Sequence, residues 1–394
     1  ENPNFKDVRN DRAYLFTELL PWLLRFLVTM RKINRMDYPV EEFLEGISSD
    51  ASLRDIISQH FFKSTPTFFA MSYFSLYLDY IYPQGGTAVL PAALRRKVVE
   101  HGGEIVTGSE ICEIIASEST ARDANGEEYR YDTLIWAADL KTLYRITDTR
   151  GLPNGLMSRI EKRKDTLLAR RGGDSAFVLF LTVNEPPESF GSIAHGHFFY
   201  TPSRAGLGEL HRSDLRRMIE NWNRVSHEDV LKWLADFCRL NTYEISIPAL
   251  KDSGAAPAGK TGLIISVLFS YDLVRRIDES GWYDEFRTAL EDGMIRALAD
   301  SIYPMLANKV ISRFSASPLT IERNVGSSEG AITGWSFEAP VPAVNRILRA
   351  PQAVTTPIPN VLQAGQWTYS PAGVPMSMLT GKLAADRVGK LLRG

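Results

Sequence analysis

The chain has only two cysteines in 394 residues, Cys112 and Cys238, and neither belongs to a C-x-x-C pair. Two are too few for a disulfide framework, and their isolation excludes a thiolate zinc site or a dithiol redox motif. Both lie in apolar stretches, where a free cysteine is expected to be a small buried hydrophobe. An excess of charge is also missing. The formal net charge of −2 excludes the basic surplus of a nucleic-acid binder. Neither a G-x-x-x-x-G-K-[ST] phosphate loop nor an H-E-x-x-H zinc helix occurs. "AGLGEL" (205–210) lacks the third glycine and the leading strand of a phosphate-binding turn, and reads as a loop. His195 and His197 would share one side of a strand, but no ligand partner stands at metal spacing. They are read as structural, and no metal is expected. No nucleophile–base pattern can be read from spacing, so no catalytic side chain is named. No signal peptide is expected in the opening residues. The opening "ENPNFKDVRNDR" is polar, mixed in charge and without an initiator methionine, so Glu1 is not expected to be a natural N-terminus.

A membrane-spanning run is missing too, although one segment comes near. "AYLFTELLPWLLRFLVTM" contains Glu18 and Arg25, which with Asp11 and Lys32 on its flanks recur every seven residues and keep one helix face wet. Such a helix covers a greasy cavity or lies on a membrane surface, and Pro21 should restart or kink it. "EEFLEGISSDASLRDIISQHFF" reads as two short helices. "FFAMSYFSLYLDYIYPQGG" is aromatic, with Asp79 its lone acid; it is either a core helix or the wall of a hydrophobic tunnel.

An α/β unit follows. "YPQGGTAVLPAALRRKVVEHGGEIVTGSEICEIIA" predicts a helix burying Val89, Leu90, Ala93, Leu94 and Val98, then strands at 104–107 and 110–116. "DANGEEYRYDTLIWAADL" predicts a turn at Asn125-Gly126, a strand and a buried run over 134–138. The middle of the chain changes character. "SAFVLFLTVN", "GHFFYTP" and "TGLIISVLFSYD" read as strands of an antiparallel sheet. Ser226 and Asp229 cap a helix, and Phe286, Leu290, Met294, Leu298 and Ile302 line one face of another. The expected division is a helical substrate-cavity region at 1–82 and a cofactor-layer segment at 83–144. A mixed-sheet substrate domain at 145–320 and a return to the cofactor layer at 321–394 complete it. The fold class is α/β plus α+β.

With side-chain chemistry so sparse, the reactive group is expected to be an organic cofactor. The segment "AGQWTYSPAGVPMSMLTGKLAADRV" (364–388) offers a place for one. A strand leads to Gly365, and Gly373-Val374-Pro375 opens a helix whose first N–H groups are free for an electron-rich or anionic ligand.

Four segments resemble phytoene desaturase-type flavoproteins, which include carotenoid isomerases and retinol saturases within the amine-oxidase-like FAD superfamily. They are the Pro-x-Gly-Gly helix unit (82–115), "YDTLIWAADLKTLYRI", "IPALKDSGAAPAGKTGLIISV" and the C-terminal motif. The resemblance implies a partial Rossmann-like FAD layer with an inserted antiparallel-sheet and helix substrate domain, as in GDI-like two-domain proteins. It implies FAD as cofactor. Ile111 would meet the adenine; Gly365, Gln366, Gly373, Val374, Pro375 and Met376 would lie along the flavin. Gln366 stands where the family often has Asp, and it lacks that charge.

The substrate the resemblance implies is a long apolar carotenoid- or isoprenoid-like molecule. It would be lined by Phe68, Phe69, Tyr73, Tyr77 and Trp335, the last of which could equally be a packed core tryptophan. The family's G-x-G-x-x-G segment does not occur, which implies that the chain is a fragment without that section. FAD would then be absent or weakly held by these residues alone. A cytoplasmic protein with peripheral membrane contact is expected. Two other readings stay open: a GDI-like binder of prenylated protein or lipid, and an amine or amino-acid oxidase.

Overall fold

The computed structural model describes residues 12–76, 81–208 and 210–393; Asp11, Tyr77 and Asp79 lie outside them. The chain forms two compact units. The first contains residues 1–49 and 63–80. Its helix α1 (Leu20–Arg35) follows a π-helical turn at Leu15–Leu19. The helical run continues without a break from Arg12 through Pro21, with the π-helical turn just before the proline, so the proline does not restart the helix. No residue of α1 is fully buried. Phe16, Leu20, Leu23, Leu24, Leu27 and Val28 are all exposed.

Helix α2 (Val40–Ile47) follows, then α3 (Ala51–Ser58), which belongs to the second unit and is capped by the Asp50 carboxylate. Helix α4 (Thr67–Leu76) returns to the first unit. Its start is pinned where Thr67 N–H and Oγ1 both donate to Tyr38 O at 2.8 Å.

The rest of the second unit begins with α5 (Val89–Glu100). Its predicted apolar face is solvent-exposed, with Leu94 59% accessible and no residue of the helix buried. The strand expected at 104–107 is absent, because no strand lies beside it to accept its ladder bonds, and Ile105 and Val106 stand in solvent. Strands β1 (Ile111–Ile115), β2 (Thr120–Asp123) and β3 (Glu128–Arg130) form an antiparallel meander. Gly126, at φ +88°, makes the predicted turn. Strand β4 (Leu134–Trp136) buries only its tryptophan, so the run over 134–138 is not the buried segment the sequence suggests. Helix α6 (Leu140–Ile146), β5 (Thr147–Asp148) and α7 (Asn154–Leu168) follow. Strand β5 pairs parallel with β1, completing the order β3-β2-β1-β5.

The antiparallel sheet is as predicted and larger. It contains β6 (Ser175–Val183), β7 (His197–Tyr200), β8 (Tyr243–Ser246), β9 (Thr261–Phe269) and β10 (Val310–Ala316), in the order β10-β6-β9-β8-β7. Alternation along β9 and from Phe177 onward in β6 sends Phe177, Leu179, Leu181, Leu263, Ile265 and Val267 into the main core. Helices α8 (His227–Leu240), α9 (Tyr271–Glu279) and α10 (Tyr283–Ala299) cover that side. The Ser226–Asp229 capping box begins α8 as expected, and Phe286, Leu290, Met294 and Leu298 of α10 are fully buried. Cys238 is buried in this core, and burial pushes its thiol up to about 12. Cys112 is exposed, contrary to expectation, because it occupies the open side of β1.

Helix α11 (Pro318–Val325) leads to a long loop; then β11 (Val361–Gln363) pairs parallel with β4, and α12 (Val374–Leu391) closes the chain.

Candidate flavin site

The pairing of β11 with β4 carries the backbone into the site. Ala364 N–H donates to Trp136 O at 2.8 Å, the last rung before the strand yields to Gly365 at φ +93°. A side chain there would be strained and would meet Ala137 O at 3.3 Å. Gly365 N–H donates to Thr380 Oγ1 at 3.0 Å, and that fully buried hydroxyl sits in the second turn of α12. One hydroxyl thus fastens the turn to the helix. Thr380 was not singled out by the sequence, although its place one turn after Pro375 is the available signal.

Helix α12 starts bare. Gly373 is its N-cap at φ +145°, no side chain caps it, and Pro375 fills the first turn. Val374 is 66% exposed, and a Cβ on Gly373 would find only Pro375 Cδ, at 3.8 Å. The backbone N–H groups of Val374 and Met376 have no acceptor among the described residues. The buried Thr368 hydroxyl is also without a partner. Open space, unspent donors and the positive end of an 18-residue helix fit the electron-rich edge of a flavin ring. Gly365 is tied to the first turn of α12 through Thr380, whose hydroxyl donates in turn to Met376 O at 2.9 Å. Gln366 is half-buried, and Met376 packs near Tyr369, Ala350 and Ala353.

A buried knot stiffens the region. Asp139 caps α6, accepting Thr142 N–H at 2.8 Å with one carboxylate oxygen and Ser328 N–H at 2.8 Å with the other. Lys141, whose side chain is 2% exposed, reaches both oxygens of Glu329 at 2.6 and 2.8 Å. Glu329 Oε2 also accepts Gly172 N–H at 2.6 Å. Glu322 accepts Glu329 N–H and the Tyr271 hydroxyl, and burial followed by that carboxylate pushes the phenol up to about 12. Breaking such a buried pair by removing one partner costs about 3–5 kcal/mol.

Other predicted residues lie elsewhere. Ile111 opens β1 and packs at the edge of the second core cluster. Phe68, Phe69 and Tyr73 are half-buried on α4, in the first unit; Tyr77 is outside the described residues. Trp335 is 2% exposed, its Nε1–H donates to Trp367 O at 2.8 Å, and the two indoles meet edge-on. Close packing leaves no free surface on it, so it is a core brace rather than a lining residue. His197 pairs with Glu244, and no group of side chains suited to a metal exists among the described residues.

Turn, α/β layer and antiparallel sheet together define the class of FAD-dependent oxidoreductases. Residues 29–389 match the family described as flavin containing amine oxidoreductase, and the chain belongs to that family. It is 22% identical over 383 residues to a 4,4'-diaponeurosporene oxygenase from Staphylococcus haemolyticus, covering 94% of this chain and 68% of that protein. Its fold is similar to an oxidoreductase from Methanosarcina mazei, with a TM-score of 0.55 and 13% identity over 98% of this chain and 73% of that one. A redesigned putrescine oxidase gives a TM-score of 0.56 and 12% identity over 91% of this chain and 69% of that one.

Proposed function

We propose that the protein transfers a hydride between FAD and a long apolar, isoprenoid-like molecule. The observation that carries this reading is the uncapped start of α12 beside Gly373, with space where a side chain would stand. FAD supplies the hydride acceptor or donor. The chain's own residues hold the ring through bare backbone, favour its anionic reduced form with the helix dipole and fix the turn through Thr380. Support for an apolar substrate comes from the diaponeurosporene named in the relative's description and from the aromatic, uncharged helix α4.

The adenosine end of FAD is held, on this reading, by a strand–helix unit outside these 394 residues. The exposed apolar groups of α5, Ile105, Val106 and Ile135 support it, as does the free edge of β4. Peripheral membrane contact belongs to the same reading. No helix among the described residues is long and apolar enough to cross a membrane. The exposed apolar face at Leu20, Leu24, Leu27 and Val28 lies beside Arg25, Arg31, Lys32 and Arg35, the pattern of a helix lying in an anionic interface.

Protein purified with that strand–helix unit should carry flavin absorbance, and Gly373→Asp should abolish it by placing a carboxylate against the ring. Unchanged absorbance would remove the turn from the flavin site. Solvent extraction and mass spectrometry should yield an isoprenoid; polar amines alone would favour amine oxidation.

A further inference from the structure

The side of the antiparallel sheet away from its helices is graded in polarity. Register fixes its membership. Phe314 of β10 stands opposite Phe180 of β6, which stands opposite Ile264 of β9; that strand brings Ile264 to Ser246 of β8 and so to His197 of β7. The neighbouring row runs Ala316, Val178, Ser266, Glu244, Phe199. Residues between these in each strand point into the helical core. Phe314 is 63% exposed and stacks on Phe180 with centroids 4.5 Å apart and planes 7° from parallel. The β10–β6–β9 side is therefore greasy, and the β8–β7 side is polar.

At the polar end, His197 is nearly buried, its side chain 8% exposed, and its Nε2 lies 2.9 Å from Glu244 Oε1. An ionised carboxylate is acceptor-only, so the imidazole N–H donates. The Glu244 side chain is itself 44% exposed, so its carboxylate can be reached by an incoming donor. Ser246 and Ser266 flank it. His60 lies 4.3 Å from the Phe199 ring, and its Nδ1–H donates to Ile56 and Ile57 carbonyls at 3.1 Å. Burial lowers the pKa of His60, and its neutral ring walls that corner. Five strands at about 4.8 Å spacing make the face about 19 Å wide, the scale of a medium isoprenoid chain.

The geometry points to a substrate face that takes an apolar body over Phe314, Phe180 and Ile264 and reads a terminal hydroxyl with the Glu244 carboxylate held by His197. This rests on the reading of the protein as a handler of apolar molecules. The substrate class is thereby narrowed to long alcohols. A carboxylate accepts the alcohol's O–H, whereas an ether end group presents only a second acceptor and is disfavoured.

Binding of farnesol, farnesyl methyl ether and farnesylamine to the purified chain tests it. Farnesol should bind about tenfold tighter than the ether, a difference of about 1.4 kcal/mol. Glu244→Leu should erase the preference, with alcohol and ether binding within about twofold of each other. Glu244→Gln, nearly isosteric and safe for folding, turns an amide N–H outward, so the ether should gain while farnesol weakens. Equal binding of alcohol and ether, or a preference surviving in both variants, overturns this inference and spares the apolar-substrate reading. Farnesylamine binding tenfold tighter than farnesol would make the corner a cation site and overturn it too. Failure of all three probes to bind overturns both.

Discussion

Gly334 carries only hydrogen where a methyl group would lie 2.4 Å from Gln366 O, and its φ of +80° is one that side chains rarely adopt. It also accepts Gly173 N–H at 2.7 Å through its own carbonyl. The two loops can approach only because this residue is bare. Gly334→Ala should therefore cost more than about 2 kcal/mol in denaturant unfolding and loosen the turn at Gln366; an unchanged midpoint would contradict the packing of 334 on 366. Single-residue roles were the hardest to read from sequence. The backbone positions of Gly365 at a strand end and Gly373 at a helix start were legible, because a strand, a turn and Pro375 surround them. Lys141 and Glu329 were not, since nothing local reports that residues 188 positions apart share one buried ion pair. Trp335 was legible only as one of two alternatives, because a tryptophan in a core and one in a tunnel have the same neighbours in sequence.

Elements were legible where their period met a real partner. The alternation of β6 and β9 and the apolar face of α10 are answered across a shared core, and the capping box of α8 needs only four consecutive residues. Helix α5 has an equally clear pattern, yet its face is open to water. Periodicity states which side wants covering, not whether these residues supply the cover. The strand expected at 104–107 failed for the same reason, since a ladder requires a neighbour. Leu94→Glu should thus leave the unfolding midpoint of this chain essentially unchanged, within about 0.5 kcal/mol. In protein that includes the strand–helix unit it should reduce flavin retention. A large loss of stability in the chain alone would mean that α5 is already buried.

At the scale of the whole molecule, the class and the antiparallel sheet could be read from sequence, whereas the division into compact units could not. The first unit takes residues 63–80 and leaves 50–62 to the second, and no change in composition marks those borders. The outward face of α1 was also ambiguous, because an amphipathic pattern is the same over a cavity and at an interface. Its exposure now makes a measurable statement. The protein should sediment with vesicles containing phosphatidylglycerol and less with pure phosphatidylcholine, since each basic residue near an anionic surface contributes about 1 kcal/mol. Leu24→Glu with Leu27→Glu should reduce sedimentation at least tenfold by burying charge in the apolar layer. Equal sedimentation of the double variant would remove α1 from the contact.

The pairing of β4 with β11 joins residues 134–136 to residues 361–363. A ribosome making this protein releases the first of these strands long before the second exists. The nascent chain must therefore hold Trp136 without its final neighbour until β11 has been made. A stop codon shortly before β11 would leave β4 without its partner strand, although every strand of the five-stranded sheet had already been made.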